Sequence, residues 1–153
     1  MHELRKPGLV LGLGIAFFLF SGFSAKGYLN SETKSATQSI TRHLALLKSS
    51  NAQDKAAAAY WLGQQHSAAA LAVNPLVELL GDTSEVNPAR YRTSTALQKL
   101  TVGEEAAAAL VNIGHASIEP LIRVLKTSPE PEARKNAAWA LGALHDTGAT
   151  TQI

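Results

Sequence analysis

Few groups in this chain could do chemistry. It has five histidines and no cysteine, which excludes disulfides, thiolate metal sites and a cysteine nucleophile. A metal would therefore need clustered histidines and carboxylates. His66, His115 and His145 form no i, i+4 pair, and only His145 has a carboxylate beside it, Asp146. His66-Ser67 sets a hydroxyl next to a base, but no carboxylate is spaced to orient that base. No phosphate-cradling loop or nucleophile elbow occurs. These residues predict no catalytic, metal or cofactor site, and they place the histidines in solvated turns.

Other residues are suited to binding. Arg90, Arg92 and Lys99 surround Tyr91, a basic, aromatic-bearing stretch that could meet an acidic partner. Its three charges are too few for nucleic acid. Trp61 is a candidate hot spot or a packing residue for the segment before it. Arg42, Glu78, Arg123 and Lys126 would share one surface if their helices stack side by side. Lys55 and Arg134 stand at equivalent places and suggest a salt-bridge or capping ladder between neighbouring helices. Tyr60 and Trp139 are also equivalent and are expected to pack between them.

That equivalence comes from an internal repeat. Ile40 to Lys48 aligns with Ile118 to Lys126, and Lys55 to Gly63 aligns with Arg134 to Gly142. A third copy lies between, with Pro75 to Leu80 matching Pro120 to Leu125, and Ala109 to Gly114 matching the second motif. Two helix types alternate. Type A carries small apolar residues before a glycine: Leu62 and Gly63, Ile113 and Gly114, Leu141 and Gly142. The glycines read as helix stops, where a left-handed backbone is cheap only for Gly. Type B carries larger residues on one stripe, as in Ile118, Leu121, Ile122 and Leu125. Pro75 and Pro120 sit near the B-helix starts, where a missing N–H is tolerated. Alanine-rich A helices allow close approach, and stacked pairs bury a continuous core. The predicted class is all-α, an α-solenoid of antiparallel helix pairs over residues 40–146. Its last repeat is incomplete, with residues 147–153 as a tail. An insertion of about residues 82–102 interrupts it, and a short extra helix is expected over Arg90 to Leu100, with Ala96, Leu97 and Leu100 on one face.

Ahead of the repeats, residues 28–39 are rich in Ser and Thr and read as a linker. Residues 1–27 have the layout of a secretory signal: Arg5 and Lys6, an apolar run from Gly8 to Phe20, then small residues. Cleavage would follow Ser24 or Gly27, and the location would be periplasmic or secreted. The rival reading is a membrane anchor over residues 7–25, the chain's one route to a membrane. Without these 27 residues, 11 basic and 11 acidic side chains remain. The whole chain's +2 is thus a targeting charge.

The stretch from Gly103 to Lys126, followed by Ala133-Arg134-Lys135-Asn136-Ala137-Ala138-Trp139-Ala140-Leu141-Gly142, resembles HEAT repeats. It is most similar to the short HEAT-like repeats named after phycobilisome lyases. The chain departs from the pattern at His43, which stands where Leu121 stands in its own repeat, at the insertion, and at the unfinished last unit. The resemblance implies a non-enzymatic adaptor or scaffold that binds a protein or peptide. It leaves as alternatives a bilin lyase or chaperone-like factor, against which the export signal counts, and a fragment of a larger repeat scaffold.

Overall fold

The computed structural model describes residues 25–92 and 99–146. Its helices are α1 (Ala25–Leu46), α2 (Ala52–Gly63), α3 (Val73–Val77), α4 (Val102–Ile113), α5 (Ile118–Thr127) and α6 (Pro131–Asp146). α1 packs on α2, α3 on α4 and α5 on α6, while α2, α4 and α6 stack as one row and α3 lies against α5. The type A helices thus form one layer and the type B helices the other. This is the α-solenoid that the repeat implies.

Local chemistry sets the helix boundaries. Asn51 caps α2 by accepting from the Gln53 N–H at 2.9 Å. α4 opens on a capping box: the Thr101 hydroxyl accepts from the Glu104 N–H at 3.2 Å, and the Glu104 carboxylate accepts from the Thr101 N–H at 2.9 Å. Pro75 and Pro120 are each the third residue of their helix, α3 and α5, where no intrahelical partner exists for an N–H. α3 itself is short: a 3₁₀ segment from His66 to Ala72 precedes it, and beyond Val77 the Leu79 and Leu80 N–H groups bond three residues back, to the Leu76 and Val77 carbonyls at 3.1 and 3.2 Å, so the end of the expected helix is a turn. His66 opens that segment with φ of 50°, and its ring contacts the Asn112 carbonyl at 3.2 Å.

Two expectations need correction. Residues 28–39 are helical and belong to α1; no Gly or Pro lies between Tyr28 and Leu46 to stop the helix, and Ser and Thr only lower its propensity. The insertion is tied down by strands. β1 (Glu85–Val86) pairs antiparallel with β2 (Leu100–Thr101), with Val86 opposite Leu100. Arg90 closes a 3₁₀ turn capped by Asn87, and Leu100 lies in β2, so neither belongs to the expected extra helix; Ala96 and Leu97 lie outside the described residues. The apolar segment 7–25 lies outside them too, apart from Ala25. Among the described residues no helix is long and apolar enough to cross a membrane.

The glycines serve three different purposes. Gly114 has φ of 89° and ψ of −139°, a backbone state open to Gly almost alone, and it ends α4 as the repeat implies. Gly63 is still helical. A Cβ on it would meet Ala109 Cα at 2.9 Å, so it is small in order to let α4 approach. Gly142 is no stop at all. It lies inside α6, which runs four residues further, and nothing stands within 4 Å of its missing Cβ. The core is correspondingly alanine-rich: Ala59, Ala106, Ala107, Ala137 and Ala140 are fully buried, beside Leu62, Leu76, Leu110, Leu121 and Leu144. Ile113 joins them, while Leu141 is half-buried, its place in the core taken by Leu144 one turn on.

Gly63→Ala is expected to destabilise the chain by about 1–3 kcal/mol, since the overlap is with backbone, whereas Gly142→Ala stabilises it by about 0.5–1 kcal/mol through helix propensity. Urea unfolding of the two variants checks both signs. A second expectation concerns Asp82, which follows α3 and pairs with Lys55 of α2. Burial pushes its pKa up, but the Lys55 ammonium and the Ser84 hydrogen bonds outweigh it and hold the carboxyl below its ordinary 3.8. A lowered folded pKa means that the pair's stabilisation is present above pH 3.8 and is lost as pH falls through the folded value. Asp82→Asn should therefore flatten the acid limb of a stability-versus-pH curve.

Candidate functional site

The row of A helices carries a groove. α4 contributes Glu104 and Ala108, α6 contributes Lys135, Asn136 and Trp139, and the insertion contributes Arg92 and Leu100, around a volume of ≈ 420 Å³. A recess of ≈ 210 Å³ shares Arg92, Ala108 and Trp139 with it and runs on to Tyr60 of α2. Tyr60, Val111 and Trp139 occupy one repeat position on α2, α4 and α6. The middle helix is small where its neighbours are aromatic, so the row dips between two aromatic walls.

Trp139 is 56% exposed, contrary to the packing role expected for it. Its counterpart Tyr60 is half-covered, since Tyr91 lies against it with ring centroids 5.7 Å apart and the Arg92 guanidinium sits 5.1 Å over its face. That cover comes from the insertion, which occurs once in the chain, after α3. Among the described residues none straps Trp139 in this way.

The strap is held by a buried acid. Glu105 is 1% exposed, and its carboxylate accepts from the Tyr91 hydroxyl at 2.9 Å and from Arg92 Nη2 at 2.5 Å. Burial, then the Glu105 charge and hydrogen bond, raise the Tyr91 hydroxyl's pKa above its ordinary value of 10.0. Arg92 Nε is buried beside this pair without a partner. The expected basic loop therefore keeps little unpaired charge. Arg92 is neutralised by Glu105, Lys99 pairs with Glu85 at 2.7 Å, and Arg90 stands exposed. Lys135 at the groove's rim pairs with Glu132.

The remaining sequence candidates fall elsewhere. Arg42, Arg123 and Lys126 are exposed on α1 and α5 and Glu78 just past the end of α3, away from the groove. Trp61 is half-buried and stacks on His43, with centroids 3.8 Å apart and planes 6° apart. His43 replaces the leucine of its repeat position and Trp61 replaces the alanine of its own, so the two departures fill each other's space. Lys55 bridges to the next pair through Asp82, while Arg134 turns back and donates to the Ser128 and Pro129 carbonyls at 2.8 and 3.0 Å. His66 and His115 lie in 3₁₀ segments, and His145 in the last turn of α6. Among the described residues no three His, Asp or Glu side chains gather to hold a metal.

Sequence reasoning missed Glu105 and Asn136. Both are buried, and the Asn136 amide donates to the Leu80 carbonyl at 2.8 Å, tying α6 to the end of α3. A signal for Glu105 existed: it lies on the stripe of Ala106, Ala109, Leu110 and Ile113, at the repeat position of buried Ala133.

Two family models match the chain: the Armadillo/beta-catenin-like repeat over residues 116–144 and the PBS lyase HEAT-like repeat over residues 102–127. No curated protein and no solved structure matches it. Together with the stacked pairs, these matches support an α-solenoid of HEAT-type repeats resembling the lyase type. Repeats of these kinds are in general interaction scaffolds.

Glu105→Ala should cost about 2–3 kcal/mol. That is below the usual value for breaking a buried pair, because Arg92 retains some contact with water. Glu105→Gln should bring the Tyr91 titration back toward the ordinary tyrosine range, read as the alkaline absorbance difference between each protein and its Tyr91→Phe version.

Proposed function

We propose that this chain is a non-catalytic scaffold that works outside the cytoplasm and holds a protein or peptide in the groove between Tyr60 and Trp139. The observation that carries the reading is Trp139, a large, exposed aromatic on a regular helix, forming one wall of a groove with an alanine floor. Tryptophan is over-represented among residues that dominate binding energy. The helix spacing of ~8–10 Å puts the two aromatic walls ~16–20 Å apart. An extended segment at ~3.3 Å per residue spans that with about five or six residues. Export is read from residues 1–27 alone.

A second reading rests on the PBS lyase HEAT-like match, which includes α4 and therefore the floor of the groove. A tetrapyrrole would need cations for its carboxylates. The groove's Arg92 and Lys135 are already paired within the chain, which favours the peptide.

Display selection of peptides on the purified chain should yield a motif with saturable binding. Trp139→Ala should weaken it about tenfold, or ~1.4 kcal/mol, without changing the helical signal. Binding indifferent to Trp139→Ala removes the groove from the proposal, and a bilin titration that shifts the pigment's absorbance revives the second reading. Mass spectrometry of the chain from its source cells should find the amino terminus at Ala25 or Tyr28; an intact Met1 or His2 start counts against cleavage.

A further inference from the structure

The A row shows one of its aromatic walls already in use. At Tyr60 the chain seats its own Tyr91, with ring centroids 5.7 Å apart and planes tilted by 49°. The Arg92 guanidinium lies 5.1 Å over the same Tyr60 ring. Trp139 holds the same repeat position on α6 and is 56% exposed.

The surroundings of Trp139 favour the same kind of group. Arg92 lines both the groove and the recess together with Trp139, and 27% of its side chain is exposed. A guanidinium is planar and has two faces, of which Tyr60 meets one. The groove's charges are met within the chain: Arg92 by Glu105, Lys135 by Glu132, and Glu104 by the Thr101 N–H and the attraction of Lys135. A cationic side chain would have to compete with Lys135 or with the α4 cap for a carboxylate. An aliphatic one would gain buried area alone. An aromatic ring gains area, a ring contact with the indole and a cation–π contact with Arg92. The ≈ 420 Å³ volume stands near the small end of the ~300–1,000 Å³ range of ligand pockets, room for one ring and the backbone beside it.

We propose that the groove recognises its partner segment through one aromatic side chain, Phe, Tyr or Trp, laid against Trp139 beside the Arg92 guanidinium. Trp139 then does for the partner what Tyr60 does for Tyr91. The proposal rests on the peptide reading above and names the chemistry of the peptide.

The test begins with a displayed library of random hexapeptides selected on the full chain. One position should be enriched in Phe, Tyr and Trp. The selected peptide is then made with Phe and with cyclohexylalanine at that position, the second keeping the bulk and removing the π system. Calorimetry should show the cyclohexylalanine peptide binding about threefold to tenfold more weakly. On Trp139→Leu, a change at an exposed position, the two peptides should bind within about twofold of each other. Equal affinity for the unaltered chain overturns the proposal, and so does a difference that persists in full on Trp139→Leu. Saturable, Trp139-dependent binding of peptides with aliphatic or basic anchors overturns it too, and leaves the scaffold reading standing. Sedimentation that finds a dimer dispersed by the peptide gives the ring's place to Trp139 of a second copy and also overturns it. A library that yields no saturable binder removes the scaffold reading and the proposal together.

Discussion

The approach of α4 to α2 at Gly63 and Ala109 governs the rest of the molecule. With no side chain on one helix and a methyl group on the other, the two backbones come nearly into contact. That closeness makes an alanine-rich sequence sufficient for a core, since small side chains fill the space only when the helices are near. It also leaves the A row with small residues on its outer side, at Ala108 and Val111. The groove is therefore a by-product of close packing, with walls wherever the repeat places an aromatic instead.

Onto this regular row the insertion adds one irregular piece, and a charge holds it there. Burying Glu105 without partners would be costly, so Arg92 and Tyr91 must stay in place as long as the acid stays inside. The same pairing decides what the surface offers. A stretch that reads as a basic loop becomes nearly neutral once folded, because its central arginine has turned inward. The groove beside it is left with apolar and aromatic contacts as its main means of recognition.

The repeat also shows how local departures compensate. His43 and Trp61 each break the pattern of their position, and each is explained by the other: a flat ring beside a flat ring, where the last pair has Leu121 and Ala140. Lys55 and Arg134 hold the same position in the repeat and end with different partners. One has the next pair's Asp82 to meet, and the other has only its own turn. Position in the array, more than residue type, decides what these cations do.

The sequence alone determined the all-α class, the alternation of two helix types and the frame of the three pairs, because apolar spacing and small-residue stripes are local properties of the chain. It also located the insertion, by a spacing that fails to repeat. Tertiary structure decided the rest. Only packing shows that Gly63 is a contact glycine and Gly142 an open one, because both read as the same Leu-Gly ending. Only packing finds the partner of Glu105, which lies across a loop and in no fixed register with it. The exposure of Trp139 was likewise illegible, since it depends on whether anything is folded over that position. Periodicity records which face a residue lies on, and the assembled neighbours decide whether that face is covered.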